Sequence, residues 1–242
     1  MSRFGLPGGV PETSDPAPVS EEVLYSSFLV VCGLLTRAGS GVVRYRGERP
    51  GPEWYAHGTF DKRITVLKEG KPLQVVLRKQ RWLLRGTNTT CHSRPPDDPI
   101  RVRFCVTIIV LRIWACLVSG VGFHRRARLH PAPEDGAGSG RTVQRWIARA
   151  LRNALLVQQA IRQAILAMTR VEPRPEEDMF RRGRAPPAAL VCRYRFNTES
   201  ATTLWRALDM LFVAAKQLPG DLALLLAEAR RRWLAPDDIF PL

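Results

Sequence analysis

The sequence lacks the short motifs that most catalytic sites and metal centres need. Its five cysteines include no CxxC pair and form no even disulfide framework, which favours a reduced, intracellular protein. No GxSxG, P-loop, HExxH or GxGxxG motif occurs, and none of the four histidines stands beside an obvious nucleophile. We therefore expect a cytoplasmic protein that is not an enzyme.

Signals for the membrane are weak as well. The first 18 residues contain no basic start followed by an apolar run, so we expect no signal peptide. Residues 104–123, FCVTIIVLRIWACLVSGVGF, are about long enough to cross a bilayer. Arg112 lies near the middle of this run, where an arginine opposes insertion by roughly 2.5–3.5 kcal/mol. We predict a buried core helix here and no membrane insertion.

Acidic side chains are scarce relative to basic ones. The chain has 37 lysines and arginines against 22 acidic residues, a formal net charge of +15. Residues 54–130 carry 15 basic and four acidic side chains, and residues 136–171 carry six basic and no acidic ones. This excess suits nucleic acid or an anionic surface as partner. Arginine outnumbers lysine, which favours forked contacts with phosphate and guanine, although a GC-rich genome also raises the arginine count.

The few acidic clusters do not form a catalytic pattern. Transposition of the DDE type needs three carboxylates that converge on two metal ions. The clusters here lie in loops rich in proline and glycine, where we predict that they only aid solubility: Asp97-Asp98, Glu134-Asp135, Glu176-Glu177-Asp178 and Asp237-Asp238.

Composition divides the chain into five segments and predicts an α+β fold. A small N-terminal β-hairpin module precedes a mainly α-helical region. The predicted segments are a flexible N-terminus at 1–19, a hairpin-containing α+β module at 20–99, a helical region at 100–171, a linker at 172–188 and a C-terminal helical hairpin at 189–242.

The hairpin is the clearest β signal. Two β-rich runs at 63–67 and 73–78 flank a turn at 68–72 that contains Gly70. Downstream, we predict Asp98 as the cap and Pro99 as the first residue of a helix over 100–118.

A second helix, capped by Ser139 and running to about residue 170, has two chemically different faces. Like charges four residues apart repel each other along a helix, and a polyanion on that face would relieve the repulsion. A solvated basic face and a nucleic-acid contact both fit this pattern. One face carries Arg141, Arg145, Arg149 and Arg152, and the other carries the apolar stripe Val143, Trp146, Ile147, Ala150, Leu151, Ala154 and Leu155.

The order of motifs resembles that of a known group of proteins. The hairpin is entered through His57-Gly58, a threonine-rich loop with Cys91 follows it, a helical block comes next, and Arg141-Thr142-Val143-Gln144-Arg145-Trp146 closes the series. Over residues 30–155 this resembles the short insertion-sequence-associated proteins, a domain-of-unknown-function family, and the N-terminal part of ISL3-type transposases. The resemblance implies a zinc-ribbon-like hairpin module, a helix-turn-helix, and DNA and a transposase as partners.

The sequence departs from that family at the expected zinc ligands. Residues 45–52 and 81–86 stand where two CxxC pairs would lie, and structural zinc needs such paired ligands. We expect no bound metal, and the remaining candidates for zinc are Cys32, His57, Cys91 and His92. The hairpin would instead be held by packing of Trp54, Phe60, Val66, Val75 and Trp82.

These observations predict a DNA-binding accessory or regulatory factor of a mobile genetic element. The arginine-rich helix would enter the major groove, where arginine can pair with guanine and glutamine with adenine. The predicted contacts on this helix are Arg141, Thr142, Gln144, Arg145, Arg149 and Arg152. The predicted phosphate contacts are Lys62, Arg63, Lys71, Arg78, Lys79 and Arg81.

Two other interpretations stay open. The chain fits a structural or interaction protein, viral or membrane-associated, whose basic face binds acidic partners. It also fits a degenerate fragment without activity. The sequence predicts neither the DNA site nor the oligomeric state.

Overall fold

Strands precede most of the helices in the computed structural model, which describes residues 26–35, 41–99, 102–119, 140–171, 198–218 and 222–233. The mixed α+β class is thereby confirmed. The predicted flexible N-terminus at 1–19, the linker at 172–188, the cap Ser139 and the acidic clusters at 134–135, 176–178 and 237–238 lie outside these residues. The described strands are β1 (Val42–Tyr45), β2 (Trp54–Lys68), β3 (Lys71–Leu84) and β4 (Thr90–His92). The described helices are α1 (Phe28–Val31), α2 (Val106–Ser119), α3 (Gly140–Arg152), α4 (Ala154–Thr169), α5 (Thr198–Gln217) and α6 (Leu222–Arg231).

The predicted hairpin is confirmed and is longer than the sequence pattern indicated. β2 and β3 pair antiparallel from Lys68↔Lys71 to Trp54↔Leu84. Glu69 and Gly70 form the connection with φ of 52° and 75°, the backbone conformation of a two-residue type I′ turn. Near the other end, a β-bulge at His57 and Gly58 interrupts the register between Ala56 and Thr59.

The sheet is completed on both sides of this hairpin. β1 runs parallel to β3 and β4 runs antiparallel to it, so both lie on the edge of β3 opposite β2. The outer edge of β2 is covered at one point, where Thr65 N donates to Arg103 O (2.6 Å) and Cys105 N donates to Thr65 O (2.9 Å). The segment that leads into α2 therefore extends the sheet.

Helix α2 lies at the centre of the fold, as the predicted core helix. It packs against β2 and also against α3, α5 and α6. Its Trp114 ring lies 5.0 Å from Phe212 and 6.3 Å from Trp205, both on α5. One cluster of buried side chains extends from Leu29 to Ala229, so the predicted modules share a core. Among the described residues, no helix has the length and apolar character to cross a membrane.

The arginine-rich segment forms two consecutive helices rather than one. Asn153 separates α3 from α4, with φ −105° and ψ 19°, and α4 ends before Arg170 in the left-handed conformation. The predicted stripe is buried from Val143 to Ala154, but Leu155 is 63% exposed, so this part of the prediction is wrong. The buried positions continue at Val157 and Ile161; Leu155 lies about 100° around the helix from Ala154 and points away from the core.

Neither helix next to α3 has the spacing of a helix-turn-helix, which joins its helices by a turn of about three to four residues. Residues 120–139 separate α2 from α3, and a single residue separates α3 from α4. The described helices therefore do not show the helix-turn-helix that the resemblance implies.

The predicted start of α2 is also wrong, because a different aspartate caps it from a distance. The helix begins at Val106, not at Pro99. Asp97 Oδ1 accepts hydrogen bonds from the backbone N and the hydroxyl of Thr107, both at 3.2 Å, while its Oδ2 accepts one from Phe28 N at 3.0 Å. One buried carboxylate thus accepts a hydrogen bond from one N-terminal N–H group of α1 and one of α2.

The neighbouring Asp98 is an internal ion-pair partner. Its carboxylate binds Lys62 and Lys79, with the Lys79 Nζ at 2.7 Å. Its backbone carbonyl accepts a hydrogen bond from Arg230 of α6 at 3.0 Å. Asp97 and Asp98 are 4% and 1% exposed, so the prediction that these two acids only aid solubility is wrong.

Replacing Asp97 with asparagine should flatten the dependence of stability on pH. Burial raises the pKa of the Asp97 carboxyl from its ordinary value of 3.8 to about 6 in the folded protein. Between these two values the folded state keeps a proton that the unfolded state releases, so the free energy of unfolding falls as the pH rises. At 1.36 kcal/mol per pKa unit this fall amounts to about 3 kcal/mol. Denaturant titrations between about pH 4 and about pH 6.5 should show that the variant lacks it.

The matched control for this titration is Asp61→Asn, an exposed carboxylate on β2. A side-chain hydrogen bond from Arg78 lowers the pKa of Asp61 below its ordinary 3.8. The contribution of Asp61 therefore rises with pH and is complete above about pH 4, so its replacement leaves the slope at higher pH unchanged. A wild-type slope in Asp97→Asn would contradict the role assigned to Asp97.

Candidate nucleic-acid interface

The arginine-rich face of α3 points away from the core. Gln144, Arg145 and Arg152 are exposed, and Thr142 and Arg149 are half-buried at the edge of the packed face. Arg152 Nε donates to the carbonyl of Ala148 at 3.4 Å, a long contact that lets the side chain move. The backbone of Arg141 lies in the first turn of α3, and its side chain is not among those described.

The cations predicted to hold phosphates on the hairpin do not lie together. Lys71 is exposed at the hairpin tip, eight residues along β3 from Lys79, which is about 25 Å in an extended strand. Arg78 lies on the opposite face of β3 from Lys79 and forms a forked pair with Asp61 at 2.8 and 2.7 Å. Arg81 is half-buried, and its Nε is buried without a hydrogen-bond partner in the described part.

Lys62 and Lys79 form part of the protein interior. The side chain of Lys79 is 6% exposed, that of Lys62 is 15% exposed, and both are held by Asp98. Burial lowers the pKa of Lys62 from its ordinary 10.5, and Asp98 acts in the opposite direction. Because both lysines are bound to Asp98 inside the protein, we leave them out of the direct phosphate contacts.

Above these lysines, the inner face of the sheet opens into a cavity of about 490 Å³ that we call the basic trough. Five cations and one carboxylate line it, together with an aromatic pair. Its residues are Phe60, Lys62, Arg63, Lys79, His92, Arg94, Asp98, Pro99, Val102 and Arg103.

Phe60 is the most exposed apolar side chain of this trough. It was predicted to pack within the hairpin, but it is 44% exposed, so that prediction is wrong. The bulge at Gly58 precedes it, with φ of +80° at Gly58 and a 2.8 Å hydrogen bond from Gln80 Nε2 to Gly58 O. Phe60 and Lys62 are two residues apart on β2 and therefore lie on the same, inner face of the sheet. Phe60 lies where the helices no longer cover that face.

His92 of β4 closes the other side of the trough. Its ring lies 4.6 Å from that of Phe60 at an interplanar angle of 46°. Burial lowers the pKa of His92 below its ordinary 6.5, and the nearby Lys79, Arg81 and Arg94 lower it further. These surroundings disfavour the charged form of the ring.

A second cavity, of about 820 Å³, shares His92 and Arg94 with the basic trough. Arg230 and Arg231 of α6 line its far side, with Glu48 as the acidic residue of the lining. The two cavities thus adjoin at His92 and Arg94 and together form a path lined with basic side chains.

Helix α3 adjoins this path through two consecutive residues. Arg103 lines the trough, and the next residue, Phe104, packs edge-on against Trp146 of α3 with ring centroids 5.9 Å apart. The buried face of α3 therefore packs next to the segment that lines the trough, and the arginine-rich face lies on the other side of this helix.

The four candidate zinc ligands are not brought together. Cys32 and His57 are exposed, and Cys91 and His92 are half-buried on β4. Cys91 and Ala56, the neighbour of His57, pair with Trp82 from opposite sides of β3, about 10 Å apart across two strand spacings. Within the part of the chain that the structure describes, no group of three or more His, Cys, Asp or Glu side chains is placed to hold a metal ion.

Sequence reasoning missed the contributions of Phe60, Arg94 and Arg103, and considered His92 only as a metal ligand. The two-residue period of a strand places Phe60 on the same face of β2 as Lys62, so the sequence could have predicted that these two residues lie together. The positions of Arg94 and Arg103 depend on loops that fold back over the sheet.

Comparisons with family models, curated proteins and solved structures give no match for this chain. A proposal for its function therefore rests on the order of its motifs and on the geometry described above.

Proposed function

We propose that this protein binds DNA as an accessory or regulatory factor of a mobile genetic element. The observation that carries the proposal is the basic trough, in which five cations face one carboxylate around an exposed aromatic ring. Such a concentration of positive charge attracts the phosphate backbone and supplies affinity that depends on salt. The link to a mobile element rests on the resemblance in motif order.

Helix α3 would supply sequence preference beside the trough. Gln144 and Arg145 are exposed near its beginning and carry the side-chain groups that pair with adenine and guanine. Trp146 anchors the opposite face in the core. We propose that α3 lies along the DNA while Arg63, Arg94 and Arg103 contact phosphates.

One observation favours the alternative function, an interaction protein that uses its basic face on an acidic protein. Leu155 and Leu166 are 63% and 43% exposed and, eleven residues apart, lie on the same side of α4. Arg152, at the end of α3 and three residues before Leu155, is exposed as well, so a basic group follows closely on the apolar ones in the chain. The test adds a cell-extract fraction that contains no DNA and measures the nuclear magnetic resonance shifts of the protein. Shifts confined to α4 would favour this alternative.

Binding of labelled duplex DNA should weaken steeply as salt rises, and Arg145→Ala should weaken it further. If Arg145 reads a base, the loss is about 1–3 kcal/mol on the preferred sequence and smaller on random DNA. If it contacts only phosphate, all sequences lose affinity alike and the salt slope falls by about 1. Fluorescence anisotropy at several salt concentrations measures both quantities.

The control is Lys71→Ala, which removes the same charge at the exposed hairpin tip. It should leave affinity and slope close to those of the wild type. Absence of duplex binding by the wild-type protein at low salt would refute the proposed function, and equal losses in both variants would place the interface elsewhere.

A further inference from the structure

We propose that the basic trough binds an unpaired nucleobase of single-stranded DNA, which stacks on Phe60 while its phosphates contact arginines at the rim. The inference rests on the proposed function and names the form of nucleic acid that this site takes.

The first argument is the state of the Phe60 ring. It is 44% exposed, yet neighbouring groups hold it in place. Lys79 Nζ lies 5.4 Å from its centroid and is itself held by Asp98 at 2.7 Å, and the His92 ring lies 4.6 Å away. A fixed aromatic surface that stays open to solvent is the platform on which bases stack in proteins that bind single strands.

The second argument is the size of the site. A cavity of about 490 Å³ falls within the range that holds one small ligand, roughly 300–1,000 Å³. One nucleotide fits this range, whereas the bases of a duplex are stacked on one another and cannot reach a ring that lies between charged walls. A base reaches Phe60 only when it is unstacked.

The third argument is the arrangement of charge. Lys62 and Lys79 share the single carboxylate of Asp98 on the floor of the trough, while Arg63 and Arg103 are exposed at its rim. Within the described residues, these two arginines have no ion-pair partner. Phosphates therefore find cations at the rim and the base finds the aromatic surface below.

The adjacent cavity gives the strand a continuation. It shares His92 and Arg94 with the trough and adds Arg230 and Arg231. His92 lines both cavities, and its imidazole is a second flat ring against which a base can lie. The path therefore suits a strand of at least two nucleotides.

The test compares single-stranded and duplex DNA of the same mixed sequence, with full-length protein and fluorescein-labelled oligonucleotides. Phe60→Leu should lower affinity for the single strand about tenfold to a hundredfold, the size expected for one lost stacking contact. Its affinity for the duplex should change less than about twofold, and Phe60→Trp should keep single-strand affinity. A single strand carrying 2-aminopurine should lose fluorescence when the wild type binds, and less so with Phe60→Leu.

The matched control is Tyr55→Leu, which removes a second aromatic ring that is 41% exposed on β2 but does not line the trough. It should leave single-strand affinity unchanged, and thermal unfolding of each variant shows that it is folded. A wild-type single-strand affinity for Phe60→Leu, or equal losses on both forms of DNA, would overturn the inference while leaving DNA binding in place. Absence of binding to either form by the wild type would overturn the proposed function itself.

Discussion

Replacing Asp98 with alanine should lower the free energy of unfolding by about 3–5 kcal/mol, because it leaves buried lysine charge without a partner. Asp98 is 1% exposed and holds Lys79 at 2.7 Å, and Lys79 itself is 6% exposed in its side chain. Denaturant titration at neutral pH measures the loss.

Two further variants separate the buried charge from other causes. The double variant Asp98→Ala with Lys79→Met should recover part of the stability, because it removes the more deeply buried of the two lysine charges that the first change leaves without a partner. Asp61→Ala breaks the exposed pair with Arg78 on the same sheet and should have a far smaller effect. An Asp98→Ala protein as stable as Asp61→Ala would show that Asp98 does not compensate the lysines.

Replacing Trp146 with alanine should cost about 3–5 kcal/mol of stability, as expected for removal of a buried aromatic side chain. The ring is 6% exposed and lies edge-on against Phe104, which leads from the sheet into α2. The cavity would open between α3 and the rest of the core. Thermal and denaturant unfolding both report this loss.

Leu155→Ala provides the control from the same pair of helices. Its side chain is 63% exposed, so the change should stay within about 0.5 kcal/mol. If Leu155→Ala destabilised the protein and Trp146→Ala did not, the buried and exposed faces of α3 and α4 would be reversed, and Arg145 could not face DNA.

Local patterns predicted the elements whose causes lie nearby in the chain. The β2–β3 hairpin follows from two β-rich runs around Gly70. The burial of Trp146 follows from helical periodicity. Both depend on residues within about one turn or one strand of each other, which is the range that a sequence pattern covers.

Features that depend on distant residues were not predictable in this way. Asp97 and Asp98 stand among prolines, as loop residues do. Yet Asp97 caps a helix that begins nine residues later, and Asp98 binds a lysine on each of the strands β2 and β3. Lys79 alternates correctly with Val75 and Leu77 toward the inner face, but its burial depends on Asp98. The alternation of residues along a strand shows on which face a lysine lies, but it does not show whether a carboxylate from elsewhere in the chain pairs with it.

The basic trough was predictable only in part, for the same reason. The excess of cations in residues 54–130 indicated an anionic partner, but the structure distributes the cations of the hairpin over both of its faces, its tip and its interior. Exposure of Phe60 depends on where the helices cease to cover the sheet, which the sequence of β2 does not record.

The Asp97 loop also bears on the order in which the chain folds. β2 and β3 are joined by two residues and can pair early, since closing a short loop loses little entropy. Asp97, in contrast, binds the backbone of Phe28, 69 positions earlier, so we expect this contact to form late in folding. A contact made after the transition state slows unfolding without speeding folding. We therefore expect loss of the Asp97 contacts to speed unfolding more than it slows folding.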